Sequence, residues 1–381
     1  MEEDDRIDAA ERLMDQFALR TGIGGIGDPA RRYLWTDAYA VLAFLGLYRR
    51  TREHRHLQRA IACVELVHWH LGRHRPDDAR CGWISGLSET EGTRRPTAGG
   101  LRIGKPLPER SPLEPPDGES EWNRDGQYFH YLTRWMQALN RLSAASGDPQ
   151  WNALAVDLAL AAHSGFVYES RLGEERRMRW KMSIDLGRPL VRSMGLHDPL
   201  DGFVTFAAVR AMERCAEPSF GALDAPIADF FRMCEATPSW STTDPLGIGG
   251  LLCEAGRMDE LIGSGELPPV RLLSRVVRDA HAGLSAYLDS GALEQPNSMR
   301  LAFRELGLSI GLQCAQRFDA MATYLPLVDS IEAEWRSLRA QASIGWVAHQ
   351  DINAVMLAAS LVPDAISASW EPSARPQPLA G

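Results

Sequence analysis

The segment from Glu121 to Trp135 concentrates side chains that could do chemistry. Its sequence, Glu-Trp-Asn-Arg-Asp-Gly-Gln-Tyr-Phe-His-Tyr-Leu-Thr-Arg-Trp, places carboxylates, arginines, a histidine and several aromatic rings within about four helical turns. A helix that only packs against a core does not need this chemistry in its first turn. We therefore expect residues 121–127 to lie at the mouth of a helical barrel, where a ligand meets the N-terminus of a helix.

Length and composition bound the class of protein. The chain has 381 residues, of which 45% are hydrophobic and 24% are charged, as in ordinary soluble globular proteins. A net charge of −9 argues against a nucleic-acid partner, and no apolar run approaches the roughly 20 residues that span a membrane. The acidic N-terminus does not resemble a signal peptide, so we expect a cytoplasmic protein. Six widely spaced cysteines favour buried thiols over disulfides or a zinc site.

Hydrophobic periodicity predicts an all-α fold, because no stretch alternates as a strand does. Helices rich in apolar and small residues are predicted at 35–48, 124–142, 203–215, 245–255, 300–316 and 350–361. Between them, amphipathic helices are predicted at 3–20, 54–71, 150–170, 222–236, 269–289 and 319–339. An apolar helix is surrounded by protein, whereas an amphipathic one faces solvent. The alternation therefore predicts one domain, residues 1–381, built as a double-walled (α/α)6 helical barrel.

Two segments fall outside this pattern. Residues 72–123, rich in glycine, proline and charge, are predicted to form a long loop over the mouth of the barrel. Part of this loop, Gly99 to Lys105, fits the spacing of a phosphate-binding loop, but Pro106 replaces the required Ser or Thr and no helix can follow. We therefore reject that interpretation. Residues 365–381 are predicted to form a flexible tail.

The predicted starts of the inner helices are unusually polar. Asp, Thr and Asn at such positions are commonly helix caps, and Asp198 and Asp244 each precede a proline that suits the first helical position. Caps do not explain the tryptophan, arginine and histidine residues beside them. If these starts converge on one rim, they form an acidic cavity lined by aromatic rings.

This arrangement resembles the six-hairpin glycosidase superfamily of α/α barrels, over nearly the whole chain as architecture. The resemblance implies a carbohydrate-active enzyme with a pocket at the barrel mouth, a carboxylic general acid and a second carboxylate. Glycoside hydrolysis uses such a pair, one carboxyl protonated and the other ionised. Asp125 is our first choice, and Asp37 and Asp351 compete for the second role. We expect no metal and no cofactor.

Further residues could bind a sugar or glycoside. Aromatic side chains could provide apolar platforms for sugar rings, namely Trp35, Tyr39, Trp122, Tyr128, Trp180 and Trp346. Polar side chains could bind hydroxyl groups, namely Arg124, Gln127, Lys181, Asp185, His197, Asp198, Asp244, His349 and Asn353. Arg304 and Glu305 begin an otherwise apolar helix, and either contact the substrate or form an ion-pair network with acids such as Asp244 or Asp351.

Other functions fit the same barrel. A sugar epimerase or isomerase would use histidine bases, and His130, His197 and His349 lie near predicted inner-helix starts. A terpene-cyclase-like enzyme would use an Asp-rich motif, which Asp77-Asp78 and Asp198–Asp201 match weakly. A binding scaffold without catalysis and a homo-oligomer are also left open by the sequence.

Overall fold

Helices make up most of the structure, a computed structural model that describes residues 2–115, 117–170, 175–216 and 221–367. The inner wall consists of α2 (Leu34–Thr51), α6 (Phe129–Ser146), α8 (Asp198–Ala216), α10 (Pro245–Gly263), α12 (Ala302–Cys314) and α16 (Gln350–Leu361). The outer wall consists of α1 (Glu3–Arg20), α3 (His54–Leu71), α7 (Gln150–Phe166), α9 (Asp224–Ala236), α11 (Arg271–Asp289) and α14 (Leu325–Ala340).

The inner helices form a closed ring. Each one contacts the next along the chain, from α2 through α6, α8, α10, α12 and α16, and α16 contacts α2 again. An outer helix packs against each inner one, with α1 completing the outer wall beside α16. The predicted all-α class and the (α/α)6 barrel are therefore confirmed.

Burial explains which helices line the inside. Every residue of α2 from Leu34 to Leu47 is buried, so this helix has no face left for solvent. In the outer helix α11, burial is confined to one stripe that includes Leu272, Val276 and Leu284. The sequence difference between apolar and amphipathic helices thus becomes the difference between inner and outer wall.

Glycines bring two inner helices into backbone contact. A Cβ atom added at Gly249 in α10 would lie 2.1 Å from the carbonyl oxygen of Gly307 in α12. One added at Gly311 would lie 2.4 Å from the Gly249 carbonyl oxygen. Any larger residue at these positions would force α10 and α12 apart, so the small residues seen in the sequence set the width of this part of the ring.

Two small antiparallel sheets were not expected. Strand β1 (Gln127–Tyr128) pairs with β4 (Lys181–Met182), and β2 (Val167–Glu169) pairs with β3 (Arg176–Met178). The predicted start of an inner helix at 124 was therefore wrong, since α6 begins only at Phe129. The left-handed φ of 146° at Gly126 and the pairing of β1 keep this segment out of the helix.

The remaining elements are short. They are the helices α4 (Glu89–Arg94), α5 (Gly118–Glu121), α13 (Asp319–Ala322), α15 (Ile344–Val347) and α17 (Asp364–Ser367), and 3-10 turns at Ala292–Glu294 and Asn297–Met299. Ala365 and Ile366 are buried in the core, so the predicted tail does not begin at 365. The rest of that tail, 368–381, lies outside the described residues. Among the described helices, none has the length and apolar character needed to cross a bilayer.

Candidate active site

A cavity of about 790 Å³ opens where the inner helices begin. All six inner helices contribute residues from their first turns or from the positions just before them, including Trp35, His130, Asp198, Leu246, Phe303 and Asp351. Two residues of segment 72–123, Lys105 and Trp122, also line it. The polar helix starts predicted from the sequence therefore share one opening.

The structure separates the sequence candidates into two groups. Those that line the cavity are Trp35, Trp122, Tyr128, Trp180, His197, Asp198, Asp244, Arg304, His349 and Asp351, together with His130. Those outside its lining are Asp37, Tyr39, Arg124, Asp125, Gln127, Lys181, Asp185, Glu305, Trp346 and Asn353. Much of the second group has buried polar partners instead.

Asp125, the first choice for a catalytic carboxyl, is completely buried outside the cavity. Its Oδ2 accepts hydrogen bonds from Arg102 at 2.7 Å and Arg75 at 3.3 Å. Its Oδ1 accepts from the backbone N–H groups of Gly104 at 3.0 Å and Gly126 at 3.1 Å. These bonds hold segment 102–104 against the start of α6, so the position of Asp125 corrects the sequence expectation.

Asp37 and Asp351, the other predicted catalytic carboxyls, differ in position. Asp37 is buried outside the cavity, beside Arg32 at 3.3 Å and the Tyr33 backbone N–H at 2.9 Å, and burial raises its pKa to about 6. Asp351 lines the cavity but is held by Arg20 at 2.8 Å and Arg31 at 2.6 Å. Of the three, Asp351 alone reaches the cavity lining, as a carboxylate shared by two guanidinium groups.

Several residues predicted to contact the substrate instead form hydrogen bonds, ion pairs or ring contacts within the protein. Gln127 donates to the carbonyl oxygens of Gly99 and Ile184, at 3.0 and 2.6 Å. The buried Lys181 lies 2.9 Å from a carboxylate oxygen of Glu121. The remaining pairs are Asn353 with the backbone of Phe303, Arg124 with Glu114, Asp185 with Arg80, and the Tyr39 ring with Arg134.

Arg304 and Glu305 are neighbours with different environments. Glu305 is buried and accepts two hydrogen bonds from Arg300, at 2.8 and 2.7 Å, and one from Trp335 at 2.8 Å. Arg304 lines the cavity and pairs with Asp244 at 2.6 Å, one of the partners considered from the sequence. Asp244 also caps α10 by accepting from the Gly247 N–H at 3.1 Å.

Replacing Asp125 with asparagine is expected to destabilise the fold. The variant would leave the buried Arg102 without a countercharge, while Arg75 keeps Asp77, at a cost of about 3 kcal/mol in the free energy of unfolding. Urea denaturation measures this cost. The control, Asp185→Asn, changes a half-exposed carboxylate and is expected to cost less than about 1 kcal/mol. Equal stabilities of the two variants would contradict the structural role of Asp125.

Three histidines line the cavity: His349 precedes α16, and His130 and His197 lie at the starts of the neighbouring inner helices α6 and α8. His130 lies in the first turn of α6, and desolvation, followed by the charges of Arg134 and His197, lowers its pKa to about 4. His197 precedes α8, with Nε2 3.0 Å from the carbonyl oxygen of Trp240. Desolvation also lowers the pKa of His197. Both imidazoles are therefore neutral near pH 7, and donation from Nε2–H of His197 leaves its Nδ1 free to accept a proton.

Asp198 is the carboxyl that best fits a proton donor. It is buried at the start of α8, and burial raises its pKa to about 7 against the opposing effect of the Gly195 backbone N–H. Its Oδ1 lies 3.7 Å from Nδ1 of His130, and its Oδ2 has no partner of hydrogen-bonding geometry within the described residues. The sequence suggested that Asp198 is a cap, and nothing in its local pattern distinguished it from Asp244.

Arg134 and Asp201 also line the cavity and were not among the candidate substrate contacts. Arg134 lies one turn below His130 and is buried near Glu254, at 3.4 Å. Its Nε has no hydrogen-bond partner among the described residues. Burial, followed by the charge of Glu254, raises the pKa of Asp201 well above its ordinary value. The i, i+4 spacing from His130 was the sequence signal that could have identified Arg134.

Aromatic rings cover one side of the cavity. Tyr128 stacks on His130 with ring centroids 5.7 Å apart, and on Trp180 at 5.1 Å. Trp122 continues this row at 5.3 Å from Trp180 and is 59% exposed. Trp35 approaches His130 edge-on at 5.9 Å. Such surfaces can pack against the apolar faces of sugar rings.

Of the two acidic motifs considered for a terpene cyclase, Asp198–Asp201 contributes both of its carboxyls to the cavity lining, whereas Asp77-Asp78 does not reach it. Asp77 pairs with Arg75 and Asp78 with Arg80, and neither lines the cavity. Across the described ranges, Glu11, Glu53 and His56 form the one cluster spaced to hold a metal ion. It lies outside the cavity, and Arg55 pairs with both of its glutamates.

Comparison with known proteins adds to the evidence on the fold. No protein-family model matches the chain, and no curated protein matches its sequence. Its structure is similar to that of cellobiose 2-epimerase from Spirochaeta thermophila, with a TM-score of 0.51 and 12% identity. The match covers 87% of this chain and 85% of that chain. It confirms the resemblance to six-hairpin glycosidase-like (α/α)6 barrels at the level of fold.

Proposed function

We propose that the protein is a carbohydrate-active enzyme that epimerises or isomerises a reducing sugar by proton transfer. The observation that carries this proposal is the pair of neutral imidazoles, His130 and His197, lining one cavity. Two of the three carboxyls first considered for hydrolysis, Asp37 and Asp125, lie outside that cavity. The structural neighbour is itself a cellobiose 2-epimerase, which supports the choice.

The reaction begins with the open-chain form of the sugar. Nδ1 of His197 accepts the proton from the carbon next to the carbonyl group, and the electron pair moves onto the carbonyl oxygen. This step needs a neutral imidazole, which the lowered pKa of His197 provides at neutral pH. The cation of Arg134 lies in the same lining and stabilises the negative oxygen.

The second proton transfer completes the reaction. The His130–Asp198 pair holds a proton near neutral pH, because burial raises the pKa of Asp198 to about 7. Donation to the opposite face of the same carbon gives the epimer, and donation at the neighbouring carbon after a proton shift between oxygens gives the isomer. His197 then returns its proton to the pair, so the enzyme ends as it began.

Glycoside hydrolysis is the second candidate function. One observation favours it: Asp198 is a protonated carboxyl in the cavity, as a general acid must be. Asp244 or Asp351 would supply the ionised carboxylate. Each is already paired with arginine, Asp244 with Arg304 at 2.6 Å and Asp351 with Arg31 at 2.6 Å, which lowers its capacity to activate water.

The test is proton exchange in deuterated water. The wild-type protein is incubated with a panel of reducing sugars, and NMR follows loss of the C2–H signal and appearance of new isomers. We expect deuterium at C2 of the substrate and its product. Release of free sugar from glycosides without any C2 exchange would overturn the epimerase proposal in favour of hydrolysis.

A further inference from the structure

Arginine side chains pair with carboxylates at and near the cavity. The chain has a net charge of −9, yet two of these carboxylates are each paired with two arginines. Asp351 is held by both Arg20 and Arg31. Glu254, which does not line the cavity itself, is likewise held by the lining residue Arg134, at 3.4 Å, and by Arg257, at 2.8 Å. Each of these two carboxylates is therefore shared by two guanidinium groups.

Lys105 adds a cation that has no ion-pair partner among the residues the structure describes. The chain contains two lysines, Lys105 and Lys181, among 41 basic residues. Lys181 is buried against Glu121, whereas Lys105 lines the cavity. No described carboxylate forms an ion pair with Lys105, and its ammonium group lies 5.1 Å from the centre of the Tyr33 ring. This contact leaves its other side available to a ligand.

The backbone around Lys105 is held in place on both sides. Gly104 donates its N–H to Asp125 at 3.0 Å, and the carbonyl oxygen of Lys105 accepts from Arg75 at 2.7 Å. A Cβ atom at Gly104 would lie 2.4 Å from the Arg32 carbonyl oxygen, so only glycine permits this close approach to the segment that precedes α2. Asp125 thus acts as a positioning residue for a loop that presents a cation.

We propose that Lys105, together with Arg31 of the same cavity lining, binds an anionic group carried by the sugar substrate, such as a carboxylate, sulfonate or phosphate. The inference rests on the proposed function for the identity of the ligand as a sugar. An anion placed there would contact a cation that has no ion-pair partner in the described part of the chain, in a lining where Arg31 already shares Asp351 with Arg20. Neutral sugars would lack this contact.

The scarcity of lysine allows a direct measurement. Limited acetylation with an amine-specific reagent, followed by mass spectrometry, reports the reactivity of Lys105, while buried Lys181 serves as an internal control. The probes are glucuronate, glucose, acetate and sulfate at equal concentration and constant ionic strength. We expect glucuronate to slow acetylation of Lys105 at least threefold and glucose to leave it unchanged. Equal protection by sulfate or acetate would indicate a free-anion site and would overturn the proposal.

Substitutions provide the second measurement. Lys105→Met is expected to weaken glucuronate binding about tenfold in titration calorimetry, whereas Lys105→Arg keeps the charge and most of the affinity. Unchanged affinity in Lys105→Met would overturn the anion site. The two proposals fail separately. C2 exchange on neutral sugars without Lys105 protection refutes only the anion site, and protection without exchange on any sugar refutes only the epimerase.

Discussion

Replacing His197 with asparagine is expected to lower kcat/KM for sugar epimerisation by about a thousandfold. The effect follows from removal of the group that accepts the carbon-bound proton, since general bases contribute about 10²–10⁴ in rate. Asparagine can still donate a hydrogen bond to the Trp240 carbonyl oxygen, which His197 reaches at 3.0 Å. The fold and KM should therefore change little, and deuterium uptake at C2 should be lost together with product formation.

The pH dependence of the wild type provides a second measure of His197. A base must be neutral to act, and desolvation lowers the pKa of His197 below its ordinary value of 6.5. The acid limb of the kcat/KM profile is therefore expected below pH 6.5. His281→Asn serves as control, because His281 bonds Tyr324 in the outer wall and lies outside the cavity. Activity of His197→Asn within tenfold of the wild type would contradict its role as base.

The barrel was predictable because its signal is repeated along the chain. Each inner helix is apolar around most of its circumference, as in α2, and each outer helix is amphipathic, as in α11. These patterns depend on residues close in sequence, so they survive without knowledge of tertiary contacts. The predicted start of α6 was wrong because Tyr128 in β1 pairs with Lys181 in β4, which lies more than 50 residues further along the chain.

The location of the site was predictable from the sequence, but the roles of its individual residues were not. The shared opening followed from the barrel, because all inner helices begin at the same end. The role of Asp125 depended on Arg102 and Arg75, which the sequence does not place beside it. Asp198 and Asp244 share the same Asp-Pro pattern, yet Asp198 is buried beside His130 with no arginine partner among the described residues, whereas Arg304 pairs with Asp244. Such distinctions arise only from long-range packing.

The last prediction concerns Asp198→Asn, which should lower activity and raise stability. Asparagine cannot supply the proton that the His130–Asp198 pair holds, so kcat should fall at least about a hundredfold. The wild-type rate should decline as pH rises through about 7, where Asp198 ionises, and the residual activity of the variant should lack that decline. A retained alkaline limb in the variant would assign it to another group.

Stability should change in the opposite direction, with a defined pH window. In the unfolded chain Asp198 ionises near 3.8, whereas in the folded protein it stays protonated to about 7. Unfolding between these values releases a proton, so the wild type loses stability as pH rises from 4 to 7. The Asp198→Asn variant has no ionisable group at this position, so its stability does not fall in this way as pH rises. The free energy of unfolding of Asp198→Asn should therefore match the wild type near pH 4 and exceed it by up to about 4 kcal/mol at pH 8.

Asp185→Asn is the matched control for this titration. Hydrogen bonds and the charge of Arg80 hold the pKa of Asp185 below its ordinary value even though its partial burial acts to raise it, so its contribution to stability is lost as pH falls. The difference from wild type should thus have the reverse pH dependence for Asp185→Asn, and a smaller size because the group is half-exposed. If Asp198→Asn shows no gain in stability between pH 4 and 8, Asp198 is ionised in the folded protein. It could not then hold the proton that the second transfer requires.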